Sequence, residues 1–500
     1  MEALLANLSL GFATALSLQN LGLCFAGCMI GTLIGVLPGV GPIATIAMLL
    51  PLTFNLEPTG ALIMLAGIYY GAQYGGSTTA ILVNIPGEAT SVVTTLDGHQ
   101  MAKRGRAGVA LGIAALGSFF AGTVSTVVVA ALGVPLTRLA LVFGPAEYFS
   151  LMVLGLAFAV VLARGSLLKA AAMIFIGVLL STVGQDLETG EERLTLGFTD
   201  LIRGIDFVAL AMGLFGFAEI LRNLEMPETR DVVQATIGRL LPSKADLKRS
   251  ALPVVRGTIL GAILGILPGN GAVLGPFASY SVEKRLAKDP SRFGKGAIEG
   301  VAGPESANNA GAQTAFIPLL TLGIPPNAVM ALMIGAMTIH GIIPGPLVMT
   351  KSPTLFWGMV ASMWIGNLML LIINLPLIGL WVRLLKVPYR LMFPTILIFC
   401  CIGIYSIGNS GGDVVFTAFF GFFGYVLFKL GFEPAPMLLG FVLGKLLEEK
   451  LRQAMILSRG DVMTFVESPV SAVLLVLAVI IVVLAVTPKI RKGREEVFQE

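Results

Sequence analysis

The sequence predicts an all-α polytopic membrane protein of about eleven or twelve transmembrane or re-entrant helices, built as two inverted-topology repeats with broken helices. Three observations predict it. Hydrophobic residues fill 56% of the 500 positions and charged residues only 12%, against about 25% charged in a soluble globular domain. Apolar runs near the ~20-residue spanning length recur from end to end, continuous rather than alternating, which excludes a transmembrane barrel. One phrase also occurs twice: residues 31–41 read GTLIGVLPGVG and residues 261–271 read GAILGILPGNG, 230 positions apart. Each copy puts Pro and Gly where a membrane helix would otherwise continue.

The first membrane half covers residues 1–221. Its N-terminus, MEALLANLSL, has no basic region, and Lys103 is the first basic residue, so no secretory signal is expected. Helices are predicted near 107–133, 147–163, 166–184 and 204–221. The acidic loop 185–199 reads as external and the cluster Lys103, Arg104 and Arg106 as cytoplasmic. Residues 222–250 form a polar, basic, amphipathic linker that reads as cytoplasmic. The second half, residues 251–488, carries another basic run from Lys284 to Lys295, again cytoplasmic. The first-half counterpart of that run, residues 54–58, has no basic residue and reads as external. Residues 341–346 read as external, whereas their counterpart near Lys103 is internal. Opposite sides at matching positions mean inverted repeats. Helices near 354–382, 391–409, 412–428, 434–447 and 468–487 complete the bundle. Lys489, Arg491, Lys492 and Arg494 then hold a short tail, 489–500, in the cytoplasm.

A second pair strengthens the repeat. Residues 70–87, YGAQYGGSTTAILVNIPG, align with residues 309–326, NAGAQTAFIPLLTLGIPP, pairing Ile85-Pro86 with Ile324-Pro325. The spacing from the first motif differs by nine residues between the halves, an insertion assigned to the second half's basic loop.

A helix broken inside lipid leaves backbone N–H and C=O groups that cost several kcal/mol each unless something meets them. Freed N–H groups around Pro38, Gly39 and Gly41, and around Gly269, Asn270 and Gly271, would offer positive dipole ends to an anion. One Pro-Gly pair alone is as well read as a kink; two matched pairs favour a binding site. Beside the breaks cluster Ser77, Thr78, Thr79 and Asn84 in one half and Asn308 and Asn309 in the other, hydroxyls and amides suited to a polyoxygenated carboxylate. Some of these serve equally well as helix–helix glue. Glu305, within GPESANNAGAQ, has no basic residue within nine positions. With Asn309, Gln313 and Thr314 it is the candidate for binding a cation or taking up a proton, the alternative being a helix-end carboxylate.

Cys24 and Cys28 share a helix face and read as small packing residues. His99 and His340 read as exposed loop residues. No HExxH, GxSxG or Walker pattern occurs, and the scattered net charge of +4 gives no reason to expect a nucleic-acid partner.

Taken together, GxLxGxLPGxGP, YGGSTTAILVNIPG, GPESANNA and GIPP resemble the large membrane subunit of the tripartite tricarboxylate transporters, the TctA family, over nearly the whole chain. The resemblance implies a multi-pass secondary importer, not an enzyme, in a bacterial inner membrane. It implies small di- and tricarboxylate substrates, citrate among them, and a coupling cation, Na+ or H+, with no other metal or cofactor. It also implies a small membrane subunit of about four helices and a periplasmic solute-binding protein as partners. The rival readings are a passive channel or exporter component without ion coupling, and a non-transporting membrane scaffold.

Overall fold

Proline sets where many of the helices begin. Pro42, Pro58, Pro145, Pro353, Pro434 and Pro469 each stand in the first turn, where the missing N–H costs nothing. The structure, a computed structural model, describes residues 2–37, 41–163, 166–186, 189–225, 239–268, 271–384, 410–487 and parts of 394–405. The calls on Pro38, Gly39, Gly269, Asn270, linker residues 226–238 and the tail 489–500 lie outside the described residues.

The first half contains α1 (Glu2–Ala15), α2 (Leu18–Val36), α3 (Pro42–Thr53), α4 (Pro58–Val83), α5 (Val92–Met101) and α6 (Ala107–Ala140). It continues through α7 (Pro145–Leu162), α8 (Leu167–Ser181), a two-stranded hairpin of β1 (Gly184–Gln185) and β2 (Glu192–Arg193), then α9 (Phe207–Ala211) and α10 (Ala218–Glu225). The second half contains α11 (Lys244–Ile266), α12 (Gly271–Leu286), α13 (Glu299–Thr314), α14 (Phe316–Leu322), α15 (Ala328–Ile339), α16 (Leu347–Lys351), α17 (Pro353–Asn374) and α18 (Ile378–Leu384). The last helices are α19 (Gly411–Lys429), α20 (Pro434–Leu457), α21 (Thr464–Glu467) and α22 (Pro469–Val486). Among the described residues, eight helices are long and apolar enough to cross a membrane, and four shorter apolar ones accompany them. The chain is a multi-pass all-α membrane protein.

Three boundaries differ from the expected ones for clear reasons. The segment expected as one helix over 354–382 divides into α17 and α18 around Pro376, which cannot continue a helical ladder. Helix α20 runs on to Leu457, past the expected end near 447, because the charged side chains of its second half stay outside the core. Helix α11 begins at Lys244, inside the expected linker, where Ser243 and Asp246 form a reciprocal capping box.

Two helix pairs form the centre, and both close on glycine. A Cβ on Gly27, Gly31 or Gly35 of α2 would lie 2.2, 2.3 or 2.4 Å from the carbonyl oxygens of Met64, Ile68 and Ala72 on α4. A Cβ on Gly257, Gly261 or Gly265 of α11 would lie 2.2, 2.1 or 2.4 Å from those of Gly303, Ala307 and Gly311 on α13. The glycines match at an offset of 230 and their partners at 239, the nine-residue insertion seen in the sequence. Close backbone approach through small residues is how membrane helices gain packing where lipid supplies no hydrophobic drive. The far ends match too. Asn84 after α4 is left-handed at φ 59°, ψ 25°, and Gly323 after α14 at φ 73°, ψ 21°. Four residues later Glu88 sits at φ −151°, ψ 170° and Asn327 at φ −152°, ψ 174°, each opening the next helical segment.

The halves interlock by exchanging their next helices. From the first half, α6 lies along α13: Gly117 meets Ser306, and the Asn309 amide donates to Ser118 Oγ at 2.6 Å. From the second half, α17 lies along α2 and α4. Cys24 and Cys28 pack on the carbonyls of Ser362 and Gly366, and Tyr74 donates to Asn367 at 2.8 Å. The basic clusters meet at one end, through Arg106–Asp246 at 2.6 Å, Arg249–Glu299 at 3.1 Å and Arg292–Glu299 at 3.4 Å. On the outside, α22 buries only Ser471, Ala478 and Ala485 and exposes its large aliphatic side chains, as a lipid-facing helix does.

Candidate functional site

The site is built where α4 breaks. Its last turn ends at Asn84, whose left-handed conformation turns the chain back along the helix it has just left. Gly87 arrives so close that a Cβ there would be 2.5 Å from Gly76 Cα and 2.2 Å from the Gly35 carbonyl. The chain then climbs again as a short 3-10 turn, Ala89–Ser91, and α5. This return lays α5 beside α4 and against α13 of the other half.

Two rungs of polar side chains cross that junction. In the first, Glu305 on α13 accepts from Ser77 Oγ of α4 at 2.5 Å and from Thr94 Oγ1 of α5. In the second, one helical turn away, Thr90 Oγ1 lies 2.5 Å from Glu88 Oε1 and 2.9 Å from Gln73 Oε1, and Asn308 Nδ2 lies 3.5 Å from the same Glu88 oxygen. Thr90 has one hydrogen for these two oxygens, and the amide NH2 groups of Gln73 and Asn308 are the rung's other side-chain donors. Asn308 Oδ1 is buried with no partner at all. Between the rungs, α4 and α5 step from Ser77 back to Gln73 and from Thr94 back to Thr90, while α13 steps forward from Glu305 to Asn308. Helices α4 and α13 therefore run antiparallel.

Glu305 is 1% exposed, whereas Glu88 stays partly exposed at the mouth of the break. Among the described residues no cationic side chain pairs with either. A buried carboxylate without a counter-charge is costly by several kcal/mol, so this arrangement suits binding a cation or a proton.

The other expected residues divide. Thr79 faces away, its hydroxyl donating to the Val36 carbonyl at 2.8 Å and so tying α4 to the end of α2. Thr314 donates to Ala310 in its own helix at 3.1 Å. Gln313 is buried, with Oε1 unpartnered. Gly41 caps α3 in an extended conformation, and Gly271 opens α12 where a Cβ would stand 1.8 Å from the Leu264 carbonyl. Thr78 and Ser77 line a small cleft between α4, α6 and the α17–α18 bend, together with Tyr74, Ser118 and Asn374. Leu111 and Ile378 form apolar wall there, and among the described residues no charged side chain lines it. The cleft thus touches Ser77, which holds Glu305, and Ser118, which holds Asn309.

Sequence reasoning passed over Glu88, Thr90, Thr94 and Ser118. Extending the 239-residue offset past the second proline would have flagged Glu88 opposite Asn327. The expectation of an exposed His99 is corrected: it is 5% exposed, with Nδ1 at 3.0 Å from the Ile81 carbonyl, because α5 packs back on α4.

Residues 21–439 match the model of the tripartite tricarboxylate transporter TctA family. A protein of Agrobacterium vitis described as an uncharacterized 52.8 kDa protein in the TAR-I ttuC' 3' region is 60% identical over 500 residues, all of both chains. Another from the same organism, described as an uncharacterized protein in the TAR-II ttuC' 3' region, is 63% identical over 240 residues, covering 48% of this chain and 99% of the relative. No solved structure matches. A family match over most of the chain, joined to a multi-pass helical fold, places it plainly: the chain belongs to the tripartite tricarboxylate transporter TctA family and is a membrane component of a transporter.

Proposed function

We propose that the chain is the translocating subunit of a cation-coupled importer for small di- or tricarboxylates, citrate among them. In this reading it works in a bacterial inner membrane with a small membrane subunit and a periplasmic solute-binding protein. The observation that carries the reading is the contact of Ser77 and Thr94 from one half with Glu305 from the other, beside the cleft between α4, α6 and α17–α18. Hydroxyls and amides there suit the oxygens of a carboxylate. Since no basic side chain among the described residues lines the cleft, a substrate anion needs a counter-charge, and a cation arriving with it at Glu305 supplies one.

Inverted repeats are supported by the antiparallel course of α4 and α13 and by the matched breaks. Alternating access then follows as movement of one interlocked unit against the other around the junction. The test is uptake of radiolabelled citrate and related carboxylates into proteoliposomes holding the chain with its two partners. Na+ and pH gradients are imposed separately. Accumulation that follows one gradient supports the reading. Flux that only equilibrates returns the passive channel, and no flux for any carboxylate returns the scaffold.

A further inference from the structure

The two halves provide an internal control for the polar junction. At the 239-residue offset, the first rung of Ser77, Glu305 and Thr94 corresponds to Phe316, Ala66 and Met333. In the second rung, Gln73 and Thr90 correspond to Ala312 and Val329. All five counterparts are buried. The correspondence holds in three dimensions, since the chain conformations agree at Asn84 and Gly323 and again at Glu88 and Asn327. At these five positions the same scaffold closes with apolar side chains on one side and polar ones on the other, while Glu88 and Asn308 correspond to the uncharged polar pair Asn327 and Tyr69. Packing alone does not require the polar set, which is the costlier of the two to bury.

What the polar set is for follows from its inventory. It holds two carboxylates with which no cationic side chain pairs among the described residues. Glu305 takes two hydroxyl hydrogens, while Thr90 has one to divide between Glu88 and Gln73. Asn308, 1% exposed and touching Glu88 through Nδ2, leaves Oδ1 with no partner. Glu305 and Asn308, which touches Glu88, stand three positions apart on α13, neighbours on one helix face. Carboxylates on neighbouring rungs offer oxygens to one hard cation, which takes such ligands at about 2.3–2.6 Å.

We propose that Glu88 and Glu305, with Ser77, Thr90, Thr94 and the Asn308 carbonyl oxygen, bind one Na+ at the junction of the halves. The proposal deepens the transport reading and rests on it for the choice of a monovalent ion. An ion that must leave in every cycle has to be held less firmly than two buried carboxylates would hold a divalent one. On binding, the three hydroxyls turn their lone pairs to the ion, and the contacts that join α4 and α5 to α13 become ion-mediated.

The experiment uses the full-length chain purified in detergent. Binding of 22Na+ and the Na+-dependent rise in unfolding temperature are measured at fixed pH, with choline maintaining ionic strength. Wild type should bind Na+ saturably, with a thermal shift that K+ does not reproduce. Glu88→Gln and Glu305→Gln should each weaken binding by about tenfold or more. Asn308→Ala should weaken it less, and Met333→Leu, at the place that matches Thr94 in the apolar twin, should leave it unchanged. If a glutamine variant fails to elute as a monodisperse species, Glu88→Asp replaces it, with weakened binding again expected.

Wild-type Na+ affinity retained in folded Glu88→Gln or Glu88→Asp overturns the proposal. So does stabilisation by Ca2+ at lower concentration than Na+, or by acid alone without Na+. The assay contains no carboxylate, so the two readings fail separately. Intact Na+ binding with no carboxylate uptake defeats the transport reading alone. Gradient-driven uptake with no Na+ binding defeats this site alone.

Discussion

Glu305 keeps its place through two hydroxyls rather than a cation, and that decides what its replacement will do. Glu305→Gln preserves volume and leaves Ser77 and Thr94 an acceptor, so the fold should survive with the charge removed. Uptake in proteoliposomes should lose its dependence on the ion gradient, while the purified variant still elutes as wild type. Unchanged ion dependence would make Glu305 structural. Ser77→Ala instead removes one donor from a buried carboxylate and should cost about 1–3 kcal/mol of stability, read by denaturant or thermal unfolding. Glu305 was legible because a lone carboxylate within a run of small residues has nothing nearby in sequence to neutralise it. Its partners were not. Thr94 and Thr90 come from a segment whose position depends on the chain doubling back at Asn84, and Ser118 belongs to a helix exchanged between halves. Nothing in local spacing states either event. Thr79, expected beside the substrate, is instead spent on the Val36 carbonyl, because a hydroxyl one turn from a broken helix end serves its stranded carbonyls equally well.

At the scale of elements, the glycine contacts and the left-handed breaks carry most of the architecture. Gly31→Leu or Gly261→Leu would put side-chain atoms inside a backbone contact where even a Cβ meets a carbonyl at 2.3 or 2.1 Å. Either should cost about 3 kcal/mol or more, at or beyond the upper end of ordinary overpacking, and abolish monodisperse purification. Gly22→Leu on the same helix, with nothing within 4 Å of its Cβ position, should be tolerated. Normal behaviour of Gly261→Leu would mean that α11 and α13 do not close as described. The two breaks are not equally forgiving. Asn84 is exposed and already carries a Cβ at φ 59°, whereas a Cβ on Gly323 would stand 2.7 Å from the Pro344 carbonyl. Asn84→Ala should therefore cost only about 1 kcal/mol in thermal unfolding, a left-handed strain term, and Gly323→Ala distinctly more. The LPG and IP motifs made the existence of these breaks legible. Their geometry was not, since a Pro-Gly pair ends a helix without saying where the chain goes next.

For the whole molecule, the question is whether the two halves, whose helices α4 and α13 run antiparallel, also face opposite sides of a membrane. Basic residues from three separated segments gather at one end, where Arg106 pairs with Asp246 and both Arg249 and Arg292 reach Glu299. Helix α4 starts at the opposite end from the one where α5 delivers the chain to Arg106, because α5 runs parallel to α4. The loop between α3 and α4 therefore belongs with the far end. The His340 ring at the end of α15 lies against the Thr53 backbone and joins it there. Cytoplasmic loops collect Lys and Arg, so the clustered end should face inward. The arrangement is testable in a variant with Cys24, Cys28, Cys400 and Cys401 replaced and single cysteines at exposed positions. In right-side-out membrane vesicles, cysteines at Asn55 and Ile343 should react with an impermeant maleimide, and those at Lys103 and Lys288 only after permeabilisation. The reverse pattern would invert the protein while keeping the repeats. Asn55 and Ile343 reacting from different sides would break the two-fold relation itself. With it would go the reason for treating the polar junction and its apolar twin as one scaffold used in two ways.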